Sequence, residues 1–202
     1  MSCHDNNTLW DRISLAKPDA TEAEKIKMDE QSSFIVLTSQ GIAFLQNGQE
    51  MLGTKPDPSG KGFVDNSYNS PDSVNQIDWN RKHTYKNVVN YYEGLIKLRK
   101  AHPAFRMATT GEIQKNLNFF DTNDSTIGYT ISNNANNDSC NKIAVVINAG
   151  QKDTEVNLPA AGWTVVVKGE KAGTDDLGTI TGSKVVVPAG TSMVLADSPS
   201  FN

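Results

Sequence analysis

The spacing of apolar residues changes at Pro103, and this change constrains the fold more than any other feature of the chain. Before Pro103 apolar residues recur with helical spacing between long irregular stretches. After it they form short β-branched runs separated by turn residues. Because helices and strands require different periods, the sequence predicts two regions. Residues 1–103 are predicted to mix helix and strand, and residues 104–202 to be all-β.

The helix that ends before Pro103 is the most clearly predicted element. Thr84 is its predicted N-cap, Arg99 and Lys100 place cations in its last turn, and Pro103 ends it. Its apolar face comprises six residues at i, i+3, i+4 and i+7 spacing, namely Tyr85, Val88, Val89, Tyr92, Leu95 and Ile96.

The order of elements before this helix is typical of barrel units. A helix is predicted over residues 21–40, with a capping box formed by Thr21 and Glu24. Gly41–Leu45 follows as a run of strand length, and the polar stretch 48–81 is too long for an ordinary connection. We therefore expect the last one to two βα units of a TIM barrel, with the N-terminal barrel half missing from this chain.

The region after Pro103 predicts an antiparallel β-sandwich. Short β-branched runs recur there at intervals of roughly ten to twenty residues, with glycine turns between them. The predicted fold class is thus an α/β partial TIM barrel followed by an all-β antiparallel sandwich. The clearest strand candidates are Ile143–Ile147, Thr164–Val167, Lys184–Val187 and Ser192–Leu195.

Composition excludes several functions. The chain has 19 basic and 23 acidic residues and no dense basic stretch, so we expect no nucleic-acid partner. Its apolar runs are far shorter than the ~20 residues that span a bilayer. Cys3 and Cys140 belong to no metal-ligand cluster and are predicted to be thiols, with no metal site and no cofactor.

Polar clusters suitable for a sugar occur at three places. The His4-Asp5 pair can bind three hydroxyls, because a carboxylate accepts two hydrogen bonds and an imidazole donates another. Residues 65–79 combine amides, carboxylates and aromatic rings, and Gln49-Glu50 offers a further carboxylate. Taken alone, each cluster is more often structural: a local cap, a surface loop with Asx turns, or a hydrogen-bonded pair.

Four segments follow one another along the chain, namely His4–Asn6 with Thr8–Asp11, Gly41–Leu45 with Gly48–Glu50, Asn66–Trp79, and the helix that ends with Leu95–Pro103. In this order they resemble the type I pullulanases, which are starch-debranching glycoside hydrolases of the α-amylase superfamily. One of them is about fourteen residues long, so a chance match is excluded in practice. The β-rich remainder matches only in kind.

The resemblance implies retaining hydrolysis of α-1,6 linkages in pullulan or in branched starch and glycogen oligosaccharides. It implies that Asp5 is catalytic, as the carboxylate that stabilises the transition state. No metal or cofactor is implied. The implied substrate-binding residues are His4, Asn6, Tyr68, Asn69 and Asp72.

This chain departs from the family pattern in the loop after the predicted strand. The family often has an arginine before Thr54-Lys55, where this chain has Gly53. It commonly has Pro, His and Ala at the positions of Ala43, Gln46 and Asn47. These departures bear on the loop contacts and leave the resemblance intact.

Two alternatives remain open from the sequence. The first is an isoamylase or glycogen-debranching type of enzyme, although the segment Tyr68–Asp72 is of the pullulanase type. The second is a non-catalytic carbohydrate-binding or structural module, with Trp163 or Tyr129 as an exposed stacking platform, although a core position is favoured for Trp163. Localisation is left open, since a secreted or envelope-associated parent protein agrees with the resemblance.

The first prediction concerns the activity of the chain by itself. In the family that it resembles, the nucleophile and the acid/base lie on barrel strands that precede the His-Asp pair. Because acid/base catalysis alone contributes about 10²–10⁴-fold, we expect no detectable hydrolysis of pullulan by the isolated chain. A reducing-sugar assay checks this, and clear turnover by a rigorously pure sample would contradict it.

Overall fold

The structure, a computed structural model, describes residues 6–197. Within them, no helix is long and apolar enough to span a membrane. The helices are α1 (Leu9–Ala16), α2 (Glu22–Thr38), α3 (Asp72–Asn75), α4 (Arg81–Thr84), α5 (Lys86–Ala101) and α6 (Thr110–Asn116), with 3₁₀ turns at Gln49–Met51, Pro103–Arg106 and Ala135–Asn137. The strands are β1 (Leu117–Phe120), β2 (Thr126–Ser132), β3 (Lys142–Asn148), β4 (Thr154–Asn157), β5 (Trp163–Lys168), β6 (Lys171–Ala172), β7 (Thr179–Ile180), β8 (Lys184–Val187) and β9 (Ser192–Ala196).

Two predicted helix starts have different outcomes. The capping box of α2 is confirmed, because Thr21 and Glu24 exchange side-chain and backbone hydrogen bonds. The predicted N-cap at Thr84 is wrong. Thr84 is the last residue of α4, its hydroxyl donates to the Asn80 carbonyl, and Tyr85 precedes α5 without a side-chain cap. Thr84 therefore belongs to the short helix α4 and does not cap α5.

The predicted strand at Gly41–Leu45 is wrong. No strand forms there, although the alternation of a strand persists: Ile42 is 100% exposed and Phe44 61% exposed, while Ala43 and Leu45 pack against buried residues. A buried parallel strand requires hydrogen-bonded neighbours on its edges. Within residues 6–197 all named strands lie between Leu117 and Ala196, so this segment has no such neighbour.

Antiparallel sheets form most of the C-terminal half, as predicted, but the region predicted to be all-β also contains helix α6. The larger sheet has seven strands in the order β1-β2-β3-β9-β5-β6, with β7 also paired to β5. The smaller sheet pairs β4 with β8. Strand β3 lies inside the larger sheet, where Val145 is opposite Tyr129 of β2 and Val194 of β9. Every described pairing between named strands is antiparallel.

The larger sheet separates two apolar cores, because successive side chains of a strand point to opposite faces. Val145 of β3 belongs to the core that includes Phe34 of α2 and Leu95 of α5. Its neighbours Ala144 and Val146 belong to the core under the smaller sheet. The molecule therefore has three layers: helices, larger sheet and smaller sheet. The predicted domain boundary at 103/104 stays a prediction, and the first core includes residues from both sides of it.

Trp163 and Tyr129 are not available as an exposed stacking platform. Trp163 is 1% exposed and its indole N–H donates to the Ala160 carbonyl at 2.8 Å. Tyr129 is 6% exposed and its hydroxyl donates to the Thr38 carbonyl at 3.0 Å. The core position favoured for Trp163 is confirmed. The version of the binding-module alternative that depends on these two rings is wrong.

The Asn-rich loop between β2 and β3 has an unusual backbone. Asn133, Asn134, Asn136 and Asn137 all have positive φ angles, between 45° and 64°. The side-chain amide of Asn136 donates to the carbonyls of Pro103 and Arg106, which ties the loop to the turn after α5. The loop therefore joins β2 to β3 and also binds the larger sheet to the turn that follows α5.

The second prediction tests the contact between the helical layer and the larger sheet. A Cβ atom on Gly94 of α5 would lie 2.0 Å from the backbone oxygen of Ala172 in β6. Gly94→Ala should therefore lower the free energy of unfolding by about 1–3 kcal/mol, measured by urea denaturation. The control is Gly111→Ala in α6, where a Cβ meets no atom within 4 Å. Equal stability of the two variants would contradict the prediction.

Candidate functional site

The described chain begins beside the predicted catalytic pair. His4 and Asp5 lie outside the described residues, so their roles stay predictions. Asn6 has a φ of 70°, a left-handed conformation that asparagine tolerates. Its side-chain oxygen accepts hydrogen bonds from Asn7 N–H at 2.9 Å and from Arg12 Nη2 at 2.6 Å. Asn6 thus shapes the turn that leads into α1.

A tight turn presents Tyr68 and Asn69 to solvent. The turn is closed by a hydrogen bond from Ser70 N–H to the Ser67 carbonyl at 2.9 Å. The Asn75 amide donates to the carbonyls of Ser67 at 2.7 Å and Ser70 at 3.1 Å, so both ends of the turn are held. The Tyr68 side chain at its tip is 83% exposed. A ring presented on a fixed turn can stack against the apolar face of a pyranose.

Asp72 follows this turn directly. It is the first residue of α3 and is exposed. Its carboxyl oxygens can accept hydrogen bonds from vicinal sugar hydroxyls. Tyr68, Asn69 and Asp72 therefore share one exposed segment. Asn6 instead lines a separate small pocket of about 180 Å³ formed by residues 6–9 and Arg12.

A larger cleft of about 280 Å³ lies between the start of α1 and the segments 46–56 and 73–81. Its walls offer the Trp10 ring and the polar side chains of Asn47, Gln76 and Asp78, a combination suited to a neutral polyhydroxylated ligand. Tyr68, Asn69 and Asp72 are not part of these walls. Three positions that depart from the family pattern, Gln46, Asn47 and Gly53, line the cleft.

Gln49 has a structural role, as favoured from the sequence. Its amide donates to the Tyr92 hydroxyl at 3.0 Å, and that hydroxyl donates to Asp29 Oδ1 at 2.6 Å. All three side chains are buried. Burial raises the pKa of Asp29 to about 7, and burial followed by the charges of Glu170 and Asp29 raises the pKa of Glu30 to about 8. The hydrogen bonds that connect Gln49 to α2 therefore end at Asp29, whose carboxyl group has a raised pKa, and Glu30 is the next residue of the same helix.

Asp11 is the residue that sequence reasoning missed. It is 0% exposed, and its two carboxyl oxygens accept hydrogen bonds from Thr54 Oγ1 at 2.5 Å and Lys55 N–H at 2.9 Å. The sequence offered two signals, the place of Asp11 at the end of the family-like segment Thr8–Asp11 and the spacing Thr8-x-x-Asp11, which resembles a capping box. Thr8 does accept from the Asp11 N–H at 3.1 Å, but the Asp11 side chain turns to the loop instead of completing the box.

The described residues contain one group whose side chains could approach a metal ion together. Ligand atoms of His102, Asp138 and Cys140, all buried, lie within 4.8 Å of one another. Asp138 already contacts His102 Nδ1 and accepts from the backbone N–H groups of Ala104 and Cys140. The group therefore joins the end of α5 to the loop before β3. Cys140 is a buried thiol as predicted, and Cys3 lies outside the described residues.

Comparison with known proteins identifies relatives of this chain. A family model described as "Pullulanase, all-beta domain" matches residues 113–171. The pullulanase of Bacillus subtilis strain 168 is 38% identical over 156 residues, which are 77% of this chain and 21% of that protein. Strand β3, the buried centre of the larger sheet, falls inside the matched domain.

Solved structures match nearly the whole chain. The pullulanase from Bacillus acidopullulyticus superimposes with a TM-score of 0.91 and 44% identity over 96% of this chain and 23% of that chain. The type I pullulanase from Bacillus subtilis complexed with maltose has a TM-score of 0.86 and 34% identity, over 96% of this chain and 26% of that chain. This chain thus spans about a fifth to a quarter of the length of these relatives.

The relatives that these matches identify are starch-related glycosidases. Within this class, the chain belongs to the pullulanase family. An isoamylase from Flavobacterium also matches, but at 25% identity over 178 residues. Because identity to the pullulanases is higher, the pullulanase interpretation is favoured over the isoamylase alternative.

The third prediction follows from the buried carboxyl group of Asp29. Between about pH 4, where the unfolded group loses its proton, and pH 7, the folded chain holds a proton that the unfolded chain has released. The free energy of unfolding should therefore fall as pH rises through this window. Asp29→Asn, which cannot ionise, should reduce this fall by roughly 1 kcal/mol per pH unit.

The measurement is urea denaturation at pH 5, 6 and 7. Asp124→Asn, a substitution of an exposed carboxyl group in the sandwich, is the matched control and should keep the pH dependence of the original chain. An unchanged slope in Asp29→Asn would show that this group titrates normally in the folded chain.

Proposed function

We propose that this chain supplies part of the glucan-binding site of a debranching enzyme that hydrolyses α-1,6 linkages in pullulan or in branched starch and glycogen oligosaccharides. The reaction is retaining, so it needs a nucleophile and an acid/base about 5–5.5 Å apart around an oxocarbenium-like transition state. The rest of the barrel contributes those two carboxyl groups. Residues 1–103 are the last part of that barrel.

Each proposed site residue has a chemical role. Asp5 grips hydroxyls of the glucose at the cleavage point and stabilises the developing positive charge of the transition state. His4 and Asn6 are hydrogen-bonding partners of the same sugar. Tyr68 contributes an aromatic face, and Asn69 and Asp72 bind hydroxyls of that glucose or of its neighbour.

The fixed turn at residues 67–70 is the observation that gives this proposal its main support. The turn and the start of α3 carry an aromatic ring, an amide and a carboxyl group within the five residues Tyr68–Asp72, and all three side chains are exposed. A relative that is 34% identical has been solved with maltose, an α-glucan disaccharide.

The proposed partial barrel is supported by the segment 41–45. Its side chains alternate between packed and exposed, and the two exposed side chains, Ile42 and Phe44, are both apolar. A barrel strand has this character, because its outward and inward side chains are both covered when neighbouring strands and helices are present. In this proposal the segment 41–45 forms a strand when a neighbouring barrel strand is present to pair with it.

The fourth prediction tests the function in a chimera. The corresponding region of the Bacillus acidopullulyticus pullulanase, which superimposes with a TM-score of 0.91, is replaced by this chain. The chimera should hydrolyse pullulan. Asp72→Asn should lower kcat/KM by about 10- to 100-fold, because hydrogen bonds to charged groups contribute about 1.5–3 kcal/mol. Tyr68→Ala should raise KM, while Tyr68→Phe should retain most of the binding.

The matched control in the chimera is Asp124→Asn, which removes an exposed carboxyl group far along the chain in the sandwich and should leave kinetics unchanged. A stable, folded chimera that hydrolyses pullulan equally well with and without Asp72 and Tyr68 would show that the turn does not bind substrate. Loss of hydrolysis in all chimeras, with the fold retained, would argue against the proposed function itself.

A further inference from the structure

The segment 53–73 has almost no apolar anchor of its own. Between the buried residues Leu52 and Val74, only Ser67 is buried. Packing against the core therefore cannot fix the position of this segment, because hydrophobic burial acts through apolar area removed from water. Polar contacts to the rest of the molecule must therefore hold this segment in its ordered conformation.

Asp11 is the buried end of such a contact. It lies on α1, 43 residues before Thr54 in sequence, and both of its carboxyl oxygens are used by the segment. The contacts are a side-chain hydroxyl at 2.5 Å and a backbone N–H at 2.9 Å. Because both oxygens of the Asp11 carboxyl group accept hydrogen bonds from the same short stretch, they fix the orientation of that stretch as well as its position.

Lys55 extends this contact to the exposed turn. Its backbone N–H donates to Asp11, and its ammonium group donates to Ser67 Oγ at 2.6 Å. Its carbonyl accepts from Val64 N–H at 2.8 Å, which closes the small hairpin between Lys55 and Val64. One residue thus joins helix α1, the hairpin and the residue before Tyr68.

We propose that Asp11 is a positioning residue that sets the place of the Tyr68–Asp72 segment relative to the start of α1 through Lys55 and Ser67. Because α1 begins four residues after Asp5 in sequence, this connection ties the Tyr68–Asp72 segment to the helix that follows the predicted catalytic pair. Asp11 itself does not contact the sugar. The role assigned to the Tyr68–Asp72 segment rests on the proposed function, whereas the mechanical connection does not.

A competing explanation is that the turn holds itself. Asn75 donates to both Ser67 and Ser70, and this contact lies within the same stretch of chain. If Asn75 alone were sufficient, removal of the Asp11 contact would leave the turn unaffected. The two explanations therefore differ in what a change at Asp11 does to residues 67–70.

The experiment is native-state hydrogen exchange of the complete chain, measured residue by residue by NMR. Asp11→Asn keeps the size of the side chain but leaves only one acceptor oxygen for two donors. We expect the Lys55, Val64 and Ser70 amides to exchange about 10- to 100-fold faster, as the loss of a hydrogen bond to a charged group predicts. Val145 and Val194 in the larger sheet should exchange as in the original chain.

Lys55→Met tests the next step of the connection, because it removes the ammonium group and retains the backbone donor. It should accelerate exchange of the Ser70 amide, while the Lys55 and Val64 amides should exchange as slowly as in the original chain. The matched control is Asp57→Asn, in the same hairpin, where the side chain accepts from Ser59 N–H and faces solvent. This control should leave the Ser70 amide unaffected.

Two results would overturn the proposal. Unchanged exchange at Ser70 in Asp11→Asn would mean that Asn75 holds the turn without Asp11. An equal acceleration at Ser70 and at Val145 would mean that Asp11 contributes to overall stability only.

A parallel titration of the complete chain with maltohexaose tests the glucan site separately from the positioning role of Asp11. Faster exchange at Ser70 together with no chemical-shift change at Tyr68–Asp72 on adding the sugar would retain the positioning role and count against the glucan site. Binding in the original chain that weakens in Asp11→Asn, and stays unchanged in Asp57→Asn, would support both.

Discussion

The contact between helices α2 and α5 and one face of the seven-stranded sheet is the interaction on which the rest of the structure depends. It brings Phe34 and Leu95 into one core with Val145 and Val194. The approach is close enough that α5 carries Gly94 where it meets β6. With these helices fixed on the sheet, their ends are fixed too, and the stretch 39–85 between them is held at both of its ends.

The fixed helix ends explain how the long polar stretch of residues 48–81 can be ordered. The guanidinium group of Arg81 donates to the carbonyls of Met51 and Leu52 and lies 4.8 Å from the centre of the Tyr85 ring. The beginning and the end of the stretch are thereby held near α5. Between them, Asp11 supplies a third fixed point from α1. Order in this region therefore arises from a few hydrogen bonds at defined places, while the solvent-exposed turn remains accessible to a ligand.

Local signals in the sequence predicted local structure well. The Thr21–Glu24 capping box and the end of α5 before Pro103 depend on residues near one another in the chain. The β-branched runs after Pro103 form strands because other such runs pair with them. The segment 41–45 did not become a strand, because strand formation depends on partners that its own residues do not encode. The anchor at Asp11 escaped prediction for a related reason: its hydrogen-bonding partners lie 43 and 44 residues away, and no spacing rule connects them. The family resemblance predicted the candidate site residues. The buried hydrogen bonds in the structure were needed to show which other residues, such as Asp11, hold the site residues in place.

The loop between β2 and β3 limits how the sequence can change during evolution. Four of its asparagines adopt left-handed backbone conformations, which cost about 1–2 kcal/mol for most other L-residues. A β-branched residue at any of these positions would make the connection between the helices and the larger sheet less favourable. Glycine and aspartate are the replacements that the backbone tolerates most readily. The richness in asparagine thus reflects a geometric requirement of the fold, and we expect drift in this loop to follow a narrow set of residues.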